Sequence, residues 1–204
     1  MLSVQRRGPL AVMSTTGSRS SASVTPASRI VPVIALLGAP MLFLQGAAHQ
    51  FQPYDPDQFW GALELLYIAG WMTSIVALWR LNATGRGAIG RAILALQLAG
   101  LTLAGAESVM IASVPNLDQS TLLYQMTDIA WPLSHVFMLM VGTAVLVARV
   151  VPGWQRVTPL LCGLVLPLFF VAVMVGDEFF GRLAFGVGTA VAFALLGWTV
   201  RRAW

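Results

Sequence analysis

The sequence predicts an all-α membrane protein, a bundle of six transmembrane helices with both termini cytoplasmic, and three observations carry that prediction. Apolar residues make up 57% of the 204 and charged residues only 10%, with a mean hydropathy of +0.78; a soluble fold could not cover so much apolar surface. The apolar residues gather into six runs, each close to the roughly 20 residues a helix needs to cross hydrocarbon. The charges in the connections between runs sort by sign. The runs fall at 30–48, 58–79, 88–112, 129–148, 157–176 and 179–200. Lipid offers no partner to exposed backbone and the runs lack the alternation of barrel strands, so helices are the assignment that satisfies them.

Residues 1–29 hold Arg6, Arg7, Arg19 and Arg29, many serines and threonines, and no acid. They cannot bury enough surface to fold alone and read as a disordered cytoplasmic tail, with Met13 as an alternative start and 30–204 as the transmembrane domain. The first run carries Pro32 and Pro40, which predict kinks. It ends in Gly46-Ala47-Ala48, and a cleaved signal peptide there would leave five spans; the run is long for that purpose. The third run is long enough to cross at a tilt. Before it, Gly85-Arg86-Gly87 with Gly90 superficially matches a dinucleotide-binding motif, but no βαβ unit surrounds it, so it reads as a short turn.

Between the third and fourth runs, Pro115, Asn116, Asp118, Gln119 and Asp128 read as a surface loop. The Trp131-Pro132 pair reads as a helix start with an interfacial tryptophan. Pro159 and Pro167 predict kinks in the fifth run, and the fifth and sixth form a tight hairpin turning at Gly176-Asp177-Glu178. Rows of small residues, Gly100 with Ala104 and Ala184 with Gly188 and Ala192, permit close helix contact. Most of the seven tryptophans fall near run boundaries, as an aromatic belt would, whereas Trp71 falls near mid-span.

The tail's four arginines, then Arg80, Arg86 and Arg91, then Arg149 and Arg156, then Arg201 and Arg202 all fall on one side, without an acid. The opposite side carries Asp55, Asp57, Asp118, Asp128, Asp177 and Glu178, with Arg182 as the one exception. The positive-inside rule makes the arginine side cytoplasmic, as expected of a bacterial inner (plasma) membrane protein.

All 12 basic residues are arginine. Without a lysine there is no Schiff base, which excludes retinal-type chemistry. Nucleic acid is not an expected partner, because the arginines flank apolar runs instead of forming a face. Cys162 stands alone in an apolar run and reads as a packing residue. Walker A, GxSxG, kinase and zinc-finger signatures are missing. No inverted repeat of the transporter kind is evident.

The candidate site is a set of ionisable residues inside the runs. Glu64 lies six residues inside the second, Glu107 five before the end of the third and His135 six inside the fourth, so at about 1.5 Å per residue all three reach roughly 8–9 Å below the outer boundary. Gln45 and His49 approach the same layer from the first helix, and Asp128 and Ser134 support it. Holding a charge in hydrocarbon costs roughly 2.5–3.5 kcal/mol even on the lenient scale, so these groups should face the bundle interior and one another. Glu64, Glu107 and His135 would then bind a small ligand or ion, or relay protons.

A metal is not specified, since no HExxH or ExxH spacing occurs. Single-histidine ligation of haem or pigment, through His135 or His49, is a further expectation, and so is an accessory role as a subunit of a larger membrane complex in which the polar layer only fixes packing. Enzymatic activity is not expected: no nucleophile-base pair is apparent, and Ser134 and His135 point about 100° apart on a helix.

Overall fold

The computed structural model describes residues 27–51, 57–176 and 178–203, with side chains described over 32–47, 58–176 and 181–203. The tail 1–26, Asp55 and Asp177 lie outside these residues, as do the side chains of His49 and Glu178. The chain forms α1 (Ala27–Gly38), α2 (Met41–Phe51), α3 (Asp57–Arg80), α4 (Ala88–Ser113), α5 (Leu122–Ala148), α6 (Thr158–Val175) and α7 (Glu178–Val200), with short 3-10 turns at Gly153–Val157 and Arg201–Ala203. Among the described residues there is no strand.

Among the described residues, five helices are long and apolar enough to cross a membrane: Gln58–Arg80, Ala88–Ser113, Leu122–Ala148, Gly153–Val175 and Gly181–Ala203. The first apolar run differs from the expected single helix. It breaks at Ala39 and Pro40 into two pieces of 12 and 11 residues. Proline disfavours helical backbone at the residue before it and has no N–H to offer the preceding turn, so α1 stops at Gly38 and a new helix starts after Pro40. Each piece is only about 16–18 Å long, short of the hydrocarbon thickness.

The helices pack in chain order. α3 lies against α4, α4 against α5, α5 against α6 and α6 against α7, while α1 and α2 close the ring between α7 and α3. Each long helix shows why. On α3 the buried residues Trp60, Tyr67, Ile68, Trp71, Ile75 and Leu78 recur every three or four positions, and on α4 Leu94, Gln97, Leu101, Ala104 and Ser108 do the same. The outward stripe of α5 is large and apolar, with Leu122, Met126, Ile129, Leu133 and Met140 all exposed. A stripe of that size suits lipid.

The fourth run starts earlier than expected. α5 begins at Leu122, where the Thr121 side chain accepts the Tyr124 N–H as an N-cap. Asp128 therefore sits inside the helix and not in a loop before it, and Trp131 and Pro132 lie well inside the helix and not at its start. Pro132 is accommodated because a proline within a helix of this length removes one hydrogen bond, that to the Asp128 carbonyl, without ending the segment. The aromatic-belt expectation also divides: Trp79, Trp154 and Trp198 are exposed, but Trp60 is buried in the bundle, as is Trp71, the mid-span residue expected to lie outside the belt.

Glycine decides how closely α5 and α6 approach. A Cβ on Gly163 would fall 2.6 Å from the Leu139 backbone nitrogen, and one on Gly142 would overlap the Leu160 backbone. Backbone cannot swing aside as a side chain can. Gly142→Leu should destabilise the bundle by roughly 1–3 kcal/mol, read as a lower unfolding midpoint in detergent.

One turn outside the long helices is pinned by a carboxylate. Asp118 Oδ1 accepts both the Ser120 hydroxyl at 2.7 Å and the Ser120 N–H at 2.9 Å. The hydroxyl first and the N–H second hold the carboxyl below its ordinary value of 3.8. A lowered folded value means that the contribution is present above the ordinary range and is lost as pH falls through the lowered value. The Ser120 amide should accordingly stay protected from hydrogen exchange at neutral pH and lose protection only in acid, and Asp118→Asn should remove that dependence.

Candidate functional site

The approach of α3 to α4 sets the site. Gly61 presents no side chain where α4 passes: a Cβ there would lie 2.5 Å from the Ala112 nitrogen and 2.7 Å from the Ser108 carbonyl oxygen. One turn further along α3, Glu64 comes within side-chain reach of Ser108 and within the field of Asp128. The Ser108 hydroxyl also donates to the Ala104 carbonyl at 3.2 Å.

Glu107, the neighbour of Ser108, is 4% exposed. The charges acting on it come from Glu64 and Asp128, and both Asp128 and Tyr124 lie within hydrogen-bonding reach of its carboxyl. Its Oε2 is buried without a hydrogen-bond partner. Asp128 is exposed and Glu64 half-buried, so the three carboxyls grade from the surface of the bundle to its interior.

The early start of α5 explains which residues share a layer. Glu64 lies seven residues from the start of α3, Glu107 six from the end of α4 and Asp128 six from the start of α5. All three stand roughly 9–10 Å from their helix ends. His135, by contrast, is 13 residues into α5, about 20 Å from its start. Asp128, expected only as a supporting residue, occupies the level at which His135 was expected.

His135 occupies a separate, deeper cage and is fully buried. Its ring centroid lies 4.4 Å from that of Trp131, 4.6 Å from Trp71, 6.1 Å from Phe193, 6.2 Å from Tyr67 and 6.3 Å from Phe185. Nδ1 faces the Trp131 carbonyl at 3.3 Å and Nε2 faces the Tyr67 hydroxyl at 3.0 Å. A carbonyl only accepts, so Nδ1 carries the hydrogen, and in the neutral ring Nε2 accepts from Tyr67. With both nitrogens engaged and aromatic rings on several sides, His135 offers no free lone pair to a haem or pigment metal. Tyr67 stands one helical turn inward of Glu64 on α3, so it is the residue between the two groups, and its phenol also feels the Glu64 charge.

The other expected residues take lesser places. Ser134 donates its hydroxyl to the Ala130 carbonyl at 2.7 Å, within its own helix. Its backbone carbonyl accepts from the Gln97 amide at 3.3 Å, while Gln97 Oε1 is buried without a partner. Gln45 is half-buried on α2. Among the described residues no group of three or more His, Cys, Asp or Glu side chains is arranged to hold a metal ion.

Sequence reasoning missed Tyr67, Tyr124 and the Phe185 and Phe193 walls of the cage. Tyr67 and Trp71 were findable: they recur with Glu64 at helical spacing, on the face that must turn inward if Glu64 does. Phe185 and Phe193, two turns apart on α7, carry no such marker, because phenylalanine suits lipid as well as a core. Comparison with known protein families, curated proteins and solved structures finds no match for this chain.

Proposed function

We propose that the chain is a multi-pass integral membrane protein whose Glu64, Glu107 and Asp128 carboxyls hold an exchangeable proton near the acidic end of the bundle, with Tyr67 and His135 beneath them as an inner hydrogen-bonded pair. The observation that carries this reading is the pairing of buried Glu107 with Asp128. Two carboxyl groups within hydrogen-bonding reach can bond only if one keeps its proton, since two carboxylates have no hydrogen between them. Glu64 and Asp128 both stand close enough to Glu107 to act on its carboxyl, so the three acids form one group across α3, α4 and α5. The exposed Asp128 gives the group its contact with the outside, and no set of ligands for a metal competes among the described residues.

In this reading the broken α1–α2 segment spans the membrane as one kinked element. Six crossings then leave both termini on the arginine side, which is the cytoplasmic side of a bacterial inner membrane. A purely structural role is favoured for one residue, His135, because both its ring nitrogens are engaged and its walls are aromatic.

The test uses protons as the probe. Protein reconstituted in lipid nanodiscs should show, by infrared difference spectroscopy between acid and alkaline buffer, a protonated-carboxyl C=O band. Glu107→Gln and Asp128→Asn should each remove or shift it. A band that is absent in the parent protein, or that both variants leave untouched, would overturn the proposal.

A further inference from the structure

The opposite end of the bundle carries a cleft. α5 ends at Arg149, whose backbone is left-handed at φ 53°, and the chain then turns through Val150, Val151 and Pro152 into the 3-10 turn at Gly153–Val157. That turn packs against α5, α6 and α7, and the final turn Arg201–Ala203 packs against α3. Between them lies a cleft of about 80 Å³ with Leu81, Val150 and Pro152 on its apolar wall and Gln155, Thr199 and Arg202 as its polar lining. A water needs only roughly 10–15 Å³, so the cleft takes something larger.

The polar lining is rich in donors. Arg202 is exposed and presents a guanidinium with N–H groups and no acceptor. Gln155 adds an amide. The single Thr158 hydroxyl hydrogen goes to the Gln155 carbonyl at 2.9 Å, so the Thr199 hydroxyl donates to Thr158 across their 3.3 Å contact, and Arg202 and Gln155 are the donors that remain. Arg149 and Arg156 flank the turn, and Arg201 stacks on Trp198 with its guanidinium carbon 3.1 Å from the ring centroid. The described acidic side chains Glu64, Glu107, Asp118 and Asp128 are all toward the other end of their helices or in the loop beyond it. This end therefore has a positive field with none of those acids to neutralise it.

The surroundings point to lipid. Trp79, Trp154 and Trp198 are exposed at this same end, and exposed tryptophans at the ends of membrane-crossing helices sit at headgroup level. Donors, positive charge and an apolar wall beside that level together match a phosphate bearing acyl chains.

We propose that this cleft binds the phosphate of an anionic phospholipid. The inference rests on the membrane-spanning reading but not on the carboxyl site, so either can fail alone. The experiment is native mass spectrometry of the full chain in mild detergent, offered equal amounts of phosphatidylglycerol and phosphatidylcholine. The parent protein should retain phosphatidylglycerol preferentially. Arg202→Gln should lower that preference by about fivefold, the value of one arginine near a charged headgroup, and Gln155→Leu should lower it too. Arg91→Gln removes the same charge from the first turn of α4, outside the cleft lining, and should leave the preference unchanged. Equal retention of the two lipids, an unaltered preference in Arg202→Gln, or an equal loss in Arg91→Gln would each overturn the proposal. Displacement of phosphatidylglycerol by millimolar inorganic phosphate would likewise overturn it, by showing a free-phosphate site instead.

Discussion

Replacing His135 with alanine should destabilise the bundle by about 3–5 kcal/mol, the largest stability loss expected from a single polar position. Two costs combine. The imidazole fills space walled by Tyr67, Trp71, Trp131, Phe185 and Phe193, with the nearest ring centroids at 4.4 and 4.6 Å, and aromatic rings held by several helices cannot all collapse into the void. The deletion also strands the Tyr67 hydroxyl, which is buried and has Nε2 at 3.0 Å. The indole N–H groups of Trp71 and Trp131 are already buried without partners, so the cage has no spare acceptor to offer it.

Tyr67→Phe separates these costs, because it keeps the ring and removes only the hydroxyl. It should cost about 1–2 kcal/mol. The double variant should cost less than the sum, since the second deletion has no bond left to break. Unfolding midpoints in detergent for the four proteins give the cycle. A loss below about 1 kcal/mol in His135→Ala would mean that the cage is not a principal packing centre.

The sequence carried the helical class and the separation of arginines from acids toward opposite helix ends because both depend on signals spread over many residues. Apolar runs near membrane thickness and arginines confined to alternate connections survive a misjudged boundary. The carboxyl layer depended on one boundary and was misread there. Placing the start of the fourth run at residue 129 set His135 level with Glu64 and Glu107, whereas the cap at Thr121 sets Asp128 there. The clue was local: Ser120-Thr121 precedes Leu122, Leu123, Met126 and Ile129, which recur at helical spacing. Pro132 pulled the reading the other way, because proline is at home in a first turn as well as inside a long membrane helix. The break at Pro40 was foreshadowed as a kink, yet whether a proline bends or ends a helix depends on packing that a single sequence does not display.

Gly61→Val should then strike the fold and the carboxyl site together. Its Cβ would stand 2.5 Å from the Ala112 nitrogen and 2.7 Å from the Ser108 carbonyl oxygen, and no rotamer moves a Cβ. The helices must separate or slide, at a cost of about 1–3 kcal/mol. Separation at this point carries Glu64 away from Ser108 and Glu107, since all of them lie within about one turn of the contact. The carboxyl pair Glu107 and Asp128 spans α4 and α5 and should persist, so the infrared carboxyl band should shift, not vanish. Gly105→Ala is the control: its Cβ would meet only the Ile68 side chain at 3.6 Å, an ordinary contact inside a helix that favours alanine over glycine, so it should not lower the midpoint and should leave the band in place. A Gly61→Val protein with the parent's band position and midpoint would show that the α3–α4 seam does not set the spacing of the acids.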